Sequence, residues 1–179
     1  MEKKKILVVV DMQNDFIDGP LGTKEGQMIV DNVVDKINNF DGEIFVTYDT
    51  HFDNYMSTRE GRYLPVPHCI KDTDGFELNK KVSNALIDRL HLKVYKPTFG
   101  SIQLVKYLYD LSEKRAEVTL IGVCTDICVL SNALLLKAHY PEMDIIVDAS
   151  CCAGTTVEAH NAALLTMQSC QIDIINWEK

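Results

Sequence analysis

The sequence predicts an α/β fold in which a parallel sheet carries helices on both faces, and three observations lead there. Six short apolar runs of strand length punctuate the 179 residues, at 6–10, 43–48, 92–95, 118–123, 144–147 and 171–175. Segments with helical period lie between most of them, and strand alternating with helix is the pattern of a parallel sheet. The chain also holds no internal repeat, low-complexity run or linker, so residues 1–179 are expected to form a single domain.

Taken in order, the first run stops abruptly at Asp11-Met12-Gln13-Asn14-Asp15-Phe16. Open parallel sheets bind ligands beyond the carboxyl ends of their strands. A phosphate site there would need a Gly-rich or hydroxyl-rich turn, and two carboxylates repel phosphate. Asp11 is therefore either a solvated turn residue or an acid at the rim of a pocket. Ile29, Val30, Val33, Val34 and Ile37 then mark one face of a helix.

The second run leads into Asp49-Thr50-His51. Residues i and i+2 of an extended chain point the same way, so this carboxylate and imidazole make half a metal site. The segment 52–75 reads as long and structureless, and such segments tend to be functional. It contributes Glu60 and His68. Asp49, His51, Glu60 and His68 together offer the oxygen and nitrogen donors that suit one divalent ion, zinc first, with manganese or iron as alternatives.

Lys96 ends the third run, and Pro97 and Gly100 break the chain before the next helix. That helix is marked by Ile102, Leu104, Val105, Leu108, Tyr109 and Leu111. The fourth run reaches Gly122-Val123-Cys124-Thr125-Asp126-Ile127-Cys128. Thr125 or Asp126 can cap the helix over 127–138, placing Cys128 in its first turn. A free cysteine is only about 3% thiolate at neutral pH, and a helix N-terminus raises that fraction. After the fifth run, Asp148 to Gly154 reads as a small-residue turn containing Cys151-Cys152, and a fourth helix covers 155–169. The third and fourth helices carry one charged residue each, Lys137 and Glu158, so they should be covered on more than one side, by sheet and by another subunit.

Composition sets outer bounds. A formal net charge of −8 argues against nucleic acid or an anionic membrane as partner. The apolar run after Lys3-Lys4-Lys5 is five residues, too short for a signal-peptide core or a membrane span, so a cytoplasmic protein is expected. The six cysteines include no C-x-x-C pair and should be thiols.

An acid, a metal-type pair, a lysine and a cysteine thus follow the ends of consecutive strands. At this point the chain resembles the isochorismatase-like cysteine hydrolases, and among them the nicotinamidases. DMQNDF at 11–16, Lys96, GVCTDICV at 122–129, the segment from Asp49-Thr50-His51 to Pro67-His68-Cys69, and DASCCAG followed by Thr156, Glu158 and His160 carry the resemblance. It implies a three-layer α/β/α fold with a six-stranded parallel sheet in order 3-2-1-4-5-6. It implies Asp11, Lys96 and Cys128 as catalytic residues, and a cis peptide before Cys124 with the N–H groups of Cys124 and Cys128 as oxyanion hole. It also implies a small-molecule amide substrate and a homo-oligomer. The family pattern of a second histidine soon after D-x-H is replaced here by Asp53-Asn54-Tyr55, and Glu60 suits the vacant role. The family's pocket tryptophan is replaced by Leu64-Pro65-Val66-Pro67, which leaves Phe16, Tyr63 and Phe99 to hold a substrate ring. Two alternatives are a metal-free amidohydrolase acting on a carbamoyl, ureido or biuret-type amide, and a flavodoxin-like module using Cys151-Cys152.

Overall fold

The computed structural model describes residues 3–109 and 116–177. Strand β1 (Lys4–Val10) leads to helices α1 (Asn14–Ile17), α2 (Lys24–Met28) and α3 (Val30–Asn39), then to β2 (Glu43–Asp49). After β2 come α4 (Arg59–Tyr63), α5 (Lys80–Leu86), β3 (His91–Lys96) and α6 (Ile102–Tyr107). The chain continues through β4 (Ala116–Val123), a π-helical turn at Thr125–Val129, α7 (Leu130–His139), β5 (Asp144–Ala153), α8 (Val157–Ser169) and β6 (Asp173–Ile175). Leu111, expected on the second helix, lies outside the described residues.

All pairings are parallel and the order is β3-β2-β1-β4-β5-β6. The central strand β1 is buried on both faces, which explains why it reads as an unbroken apolar run. Ile6, Val8 and Val10 point into one core with Leu104 and Leu108, Ala133 and Leu136, and Leu164 and Met167. Leu7 and Val9 point into the other, with Val33 and Ile37 of α3 and Val82 and Leu86 of α5. Among the described residues no helix is long and apolar enough to cross a membrane.

Two expectations are corrected. Strand β5 does not stop at 147 but runs to Ala153, so Cys151 and Cys152 are buried strand residues, one facing each core. The register explains the misreading: β4 steps from Leu120 to Gly122 while β5 steps from Val147 to Cys152, a bulged stretch of small and polar residues. The segment 52–75 is not structureless. It holds 3₁₀ turns at Tyr55–Ser57 and Asp74–Phe76, with α4 between them, capped by Thr58 Oγ1 accepting from the Gly61 N–H.

Candidate active site

Asp11 leaves β1 with a φ of 48° and is fully buried, so it is not a solvated turn residue. Its Oδ1 accepts from Thr47 Oγ1 of β2 at 2.6 Å, and its Oδ2 lies 2.6 Å from the Lys96 ammonium. Burial pushes the Asp11 carboxyl above the ordinary range, against the opposing pull of Lys96.

Lys96 closes β3 and is only 1% exposed. Its Nζ also lies 3.4 Å from Asp49 Oδ1 and 3.5 Å from Cys128 Sγ, and donates to the Thr98 carbonyl at 3.2 Å. Burial alone would discharge it; Asp11, Cys128 and Asp49 outweigh that and keep it cationic. One ammonium therefore touches the expected acid, the expected nucleophile and the first carboxylate of the expected metal site.

Cys128 sits in the π-helical turn, where the Ile127 and Val129 N–H groups both donate to the Cys124 carbonyl at 3.1 Å. Neither Thr125 nor Asp126 caps the helix. Thr125 Oγ1 instead meets His160 Nδ1 at 2.8 Å, and the Asp126 carboxylate accepts from the Thr155 N–H and hydroxyl at 2.9 and 2.6 Å. The thiol of Cys128 is pushed well up by burial, with Lys96 opposing and Asp11 and Asp49 adding to the rise. Burial thus opposes whatever the helix start contributes toward the thiolate. The Val123–Cys124 peptide is cis, and burial first of all lifts the Cys124 thiol to about 12.

The ligand-type atoms of Asp49, His51, Glu60 and His68 lie within 4.8 Å of one another. His51 Nε2 is 3.0 Å from Asp49 Oδ2 and 3.4 Å from Glu60 Oε1; His68 Nε2 is 3.4 and 3.6 Å from the same two oxygens. His68 Nδ1 sits 2.8 Å from the Val66 carbonyl, an acceptor, which assigns a proton to Nδ1 and turns Nε2 toward the cluster. Two imidazole nitrogens and two carboxylate oxygens, converging and mostly buried, fit a zinc-type divalent ion. At His51 burial is outweighed by hydrogen bonds to Asp49 and Glu60, and the imidazole is pushed up to about 9. For Asp49, too, burial is outweighed: His51, His68 and Lys96 hold it well below the usual carboxylate range.

Two supporting residues escaped the sequence reading. Gln13 is fully buried; its Oε1 accepts from the Asp49 N–H at 2.7 Å while Nε2 donates to the Asp49 and Phe76 carbonyls, both at 2.9 Å. Asp15 Oδ2 accepts from the Cys69 N–H at 2.7 Å, and the His51 N–H donates to the Cys69 carbonyl at 3.0 Å, so the stretch after His68 is laid against His51. The only signal for Gln13 was an amide just past a buried strand.

Tyr63 and Phe99 line a cavity of about 690 Å³ together with His51, Glu60, Pro97 and Ile127. Tyr63 is 77% exposed, with the Arg59 guanidinium 5.0 Å over its ring. Phe16 is not on that wall. It is buried with its ring 5.4 Å from that of His68, as the α1 segment packs under the cluster.

Comparison with known proteins gives a consistent relationship. The isochorismatase domain profile matches residues 5–179. The Bacillus subtilis isochorismatase family protein PncA is 31% identical over 90% of this chain and 92% of its own length. The crystal structure of nicotinamidase/pyrazinamidase PncA from B. subtilis superposes with a TM-score of 0.84 at 25% identity, covering 96% of this chain and 98% of that one. The pyrazinamidase of Pyrococcus horikoshii in complex with zinc gives 0.77 at 26% identity, covering 97% and 99%.

Proposed function

Since the chain belongs to the isochorismatase family, we propose that it is an amidohydrolase that deamidates nicotinamide to nicotinic acid and ammonia through a thioester on Cys128. The observation that carries this reading is the Lys96 ammonium, in contact at once with Asp11, Cys128 and Asp49. It couples a thiol-and-acid pair to a four-residue donor cluster, and a metal-free amidase has no use for that cluster.

Asp11 takes the proton of the Cys128 thiol, and the sulfur attacks the carboxamide carbon. Its raised carboxyl suits a group that must accept a proton and return it. Lys96 keeps the developing thiolate and the neighbouring carboxylate compatible in one dry space. The N–H groups of Cys124 and Cys128 hold the oxyanion, one such donor typically contributing about 3–4 kcal/mol. Asp11 then protonates the leaving ammonia, and water activated by Asp11 releases the acid. Asp49, His51, Glu60 and His68 would hold a divalent ion, which when bound would supply Lewis-acid polarisation beside the substrate ring. Tyr63 and Phe99 flank the ring, and Phe16 acts from beneath by fixing His68.

Ammonia release from nicotinamide, pyrazinamide, biuret and a carbamoyl amide tests the assignment. Nicotinamide should be turned over, Cys128→Ala should abolish turnover, and Cys124→Ala should retain it. Release from biuret but not from the pyridine amide would move the assignment to a sister hydrolase.

A further inference from the structure

Asn132 lies one turn beyond Cys128 on α7 and is 1% exposed. Its Nδ2 donates to the Cys128 carbonyl at 2.8 Å and to the Phe99 carbonyl at 3.1 Å, while its Oδ1 accepts from the Ser101 N–H at 2.9 Å. The partners fix the amide's orientation, since the reverse would set an NH₂ against an N–H and an oxygen against two carbonyls.

The surroundings make this side chain unusual. Val129, Ala133 and Leu136, its buried neighbours along the chain, belong to the apolar core, and an aliphatic residue at 132 would continue that packing. A buried amide is costly unless bonded, so its cost here is offset by three bonds that all leave α7 or end at its entry turn. They join two separate pieces of the site. One is the π-helical turn that aims the sulfur. The other is the loop from Lys96 to Ser101, which carries Phe99 on the cavity wall. The Ser101 bond also lies at the start of α6, where Ser101 Oγ accepts from the Leu104 N–H at 3.1 Å and anchors the loop's far end.

We propose that Asn132 is a positioning residue that sets the spacing between the Cys128 sulfur and the Phe99 wall, and thereby selects which amide reaches the sulfur. This rests on Cys128 being the nucleophile of the hydrolysis proposed above. Asn132→Thr leaves a hydroxyl able to donate to the carbonyl one turn back but too short to reach Phe99. Asn132→Asp keeps the acceptor for Ser101 and loses both donors.

The experiment measures kcat and KM for nicotinamide and for acetamide, together with the rate of Cys128 alkylation by iodoacetamide, localised by tandem mass spectrometry of the peptide that carries it. In folded Asn132→Thr the preference for nicotinamide over acetamide should fall about tenfold, with alkylation near the wild-type rate. In Asn132→Asp both quantities should fall, alkylation by about fivefold or more. A merely structural amide would lower Tm and leave the preference untouched, and an unchanged preference in folded Asn132→Thr overturns the proposal. Should that variant fail to fold, the preference in Asn132→Asp decides in the same way. Wild-type protein that hydrolyses no amide would refute the hydrolase assignment instead; the alkylation rate of Asn132→Asp then decides alone, an unchanged rate overturning the positioning role.

Discussion

Lys96 is the residue on which the site's electrostatics turn. A cation this buried is stable only because Asp11, Asp49 and Cys128 surround it. The proposed mechanism needs Asp11 deprotonated, and burial raises its carboxyl, so the acid limb of kcat/KM should lie above the ordinary aspartate value of about 3.9. Lys96 opposes that rise. Lys96→Met should therefore lower turnover by about 10²–10⁴-fold and move the acid limb of what remains to higher pH. A pH–rate profile checks both, and a limb moving down would remove Lys96 as the counter-charge of Asp11. The places of Asp11 and Lys96 were readable because each interrupts or ends an apolar run, whereas the roles proposed for them came from the family resemblance. Gln13 and Asn132 were not, since their partners are mostly backbone atoms of segments far away in the chain, which no local pattern encodes.

At the scale of elements, the meeting of β1 and β4 brings Asp11 and the π-helical turn with Cys128 to one end of the sheet. Val10 pairs with Gly122, whose φ is +115°, and a Cβ there would stand 2.1 Å from the Val10 carbonyl oxygen. Gly122→Ala should cost about 2–5 kcal/mol, from the unfavourable backbone region and the backbone clash together. Urea titration measures it, and a loss under 1 kcal/mol would mean that β1 yields readily. The strands followed from the apolar runs, and α3, α6, α7 and α8 from periodicity; the short helices α1, α2, α4 and α5 did not. The end of β5 did not, because residues 148–153 are small and polar and the ladder there is bulged. The π-helical turn was also invisible, since an apolar stretch entering a helix looks the same whether its first turn closes on four residues or five.

For the whole molecule, the four-residue donor cluster draws on the end of β2 and the residues just after it, on α4 and on the stretch before Cys69. An ion bound there stabilises the native state by mass action, about 2.7 kcal/mol at a hundredfold excess over Kd, or roughly 5–10 °C in Tm for a chain of this size. Thermal melts with zinc and after chelation should differ by that amount in the wild type and coincide in His51→Ala. Equal melts in the wild type would mean that the cluster takes no metal.

The strand order has a further consequence, for the time at which the protein becomes competent. Asp11, Asp49, Lys96 and Cys128 lie at or just past the ends of four strands that stand side by side in the order β3-β2-β1-β4, yet span more than a hundred positions of sequence. Adjacent parallel strands join late, because each pairing must close a long loop before any contact rewards it. No contiguous fragment short of residues 11–128 contains the acid, the cation and the thiol together. A chain that ends before residue 128 therefore lacks the proposed site, and the site forms only where β3, β2, β1 and β4 have paired.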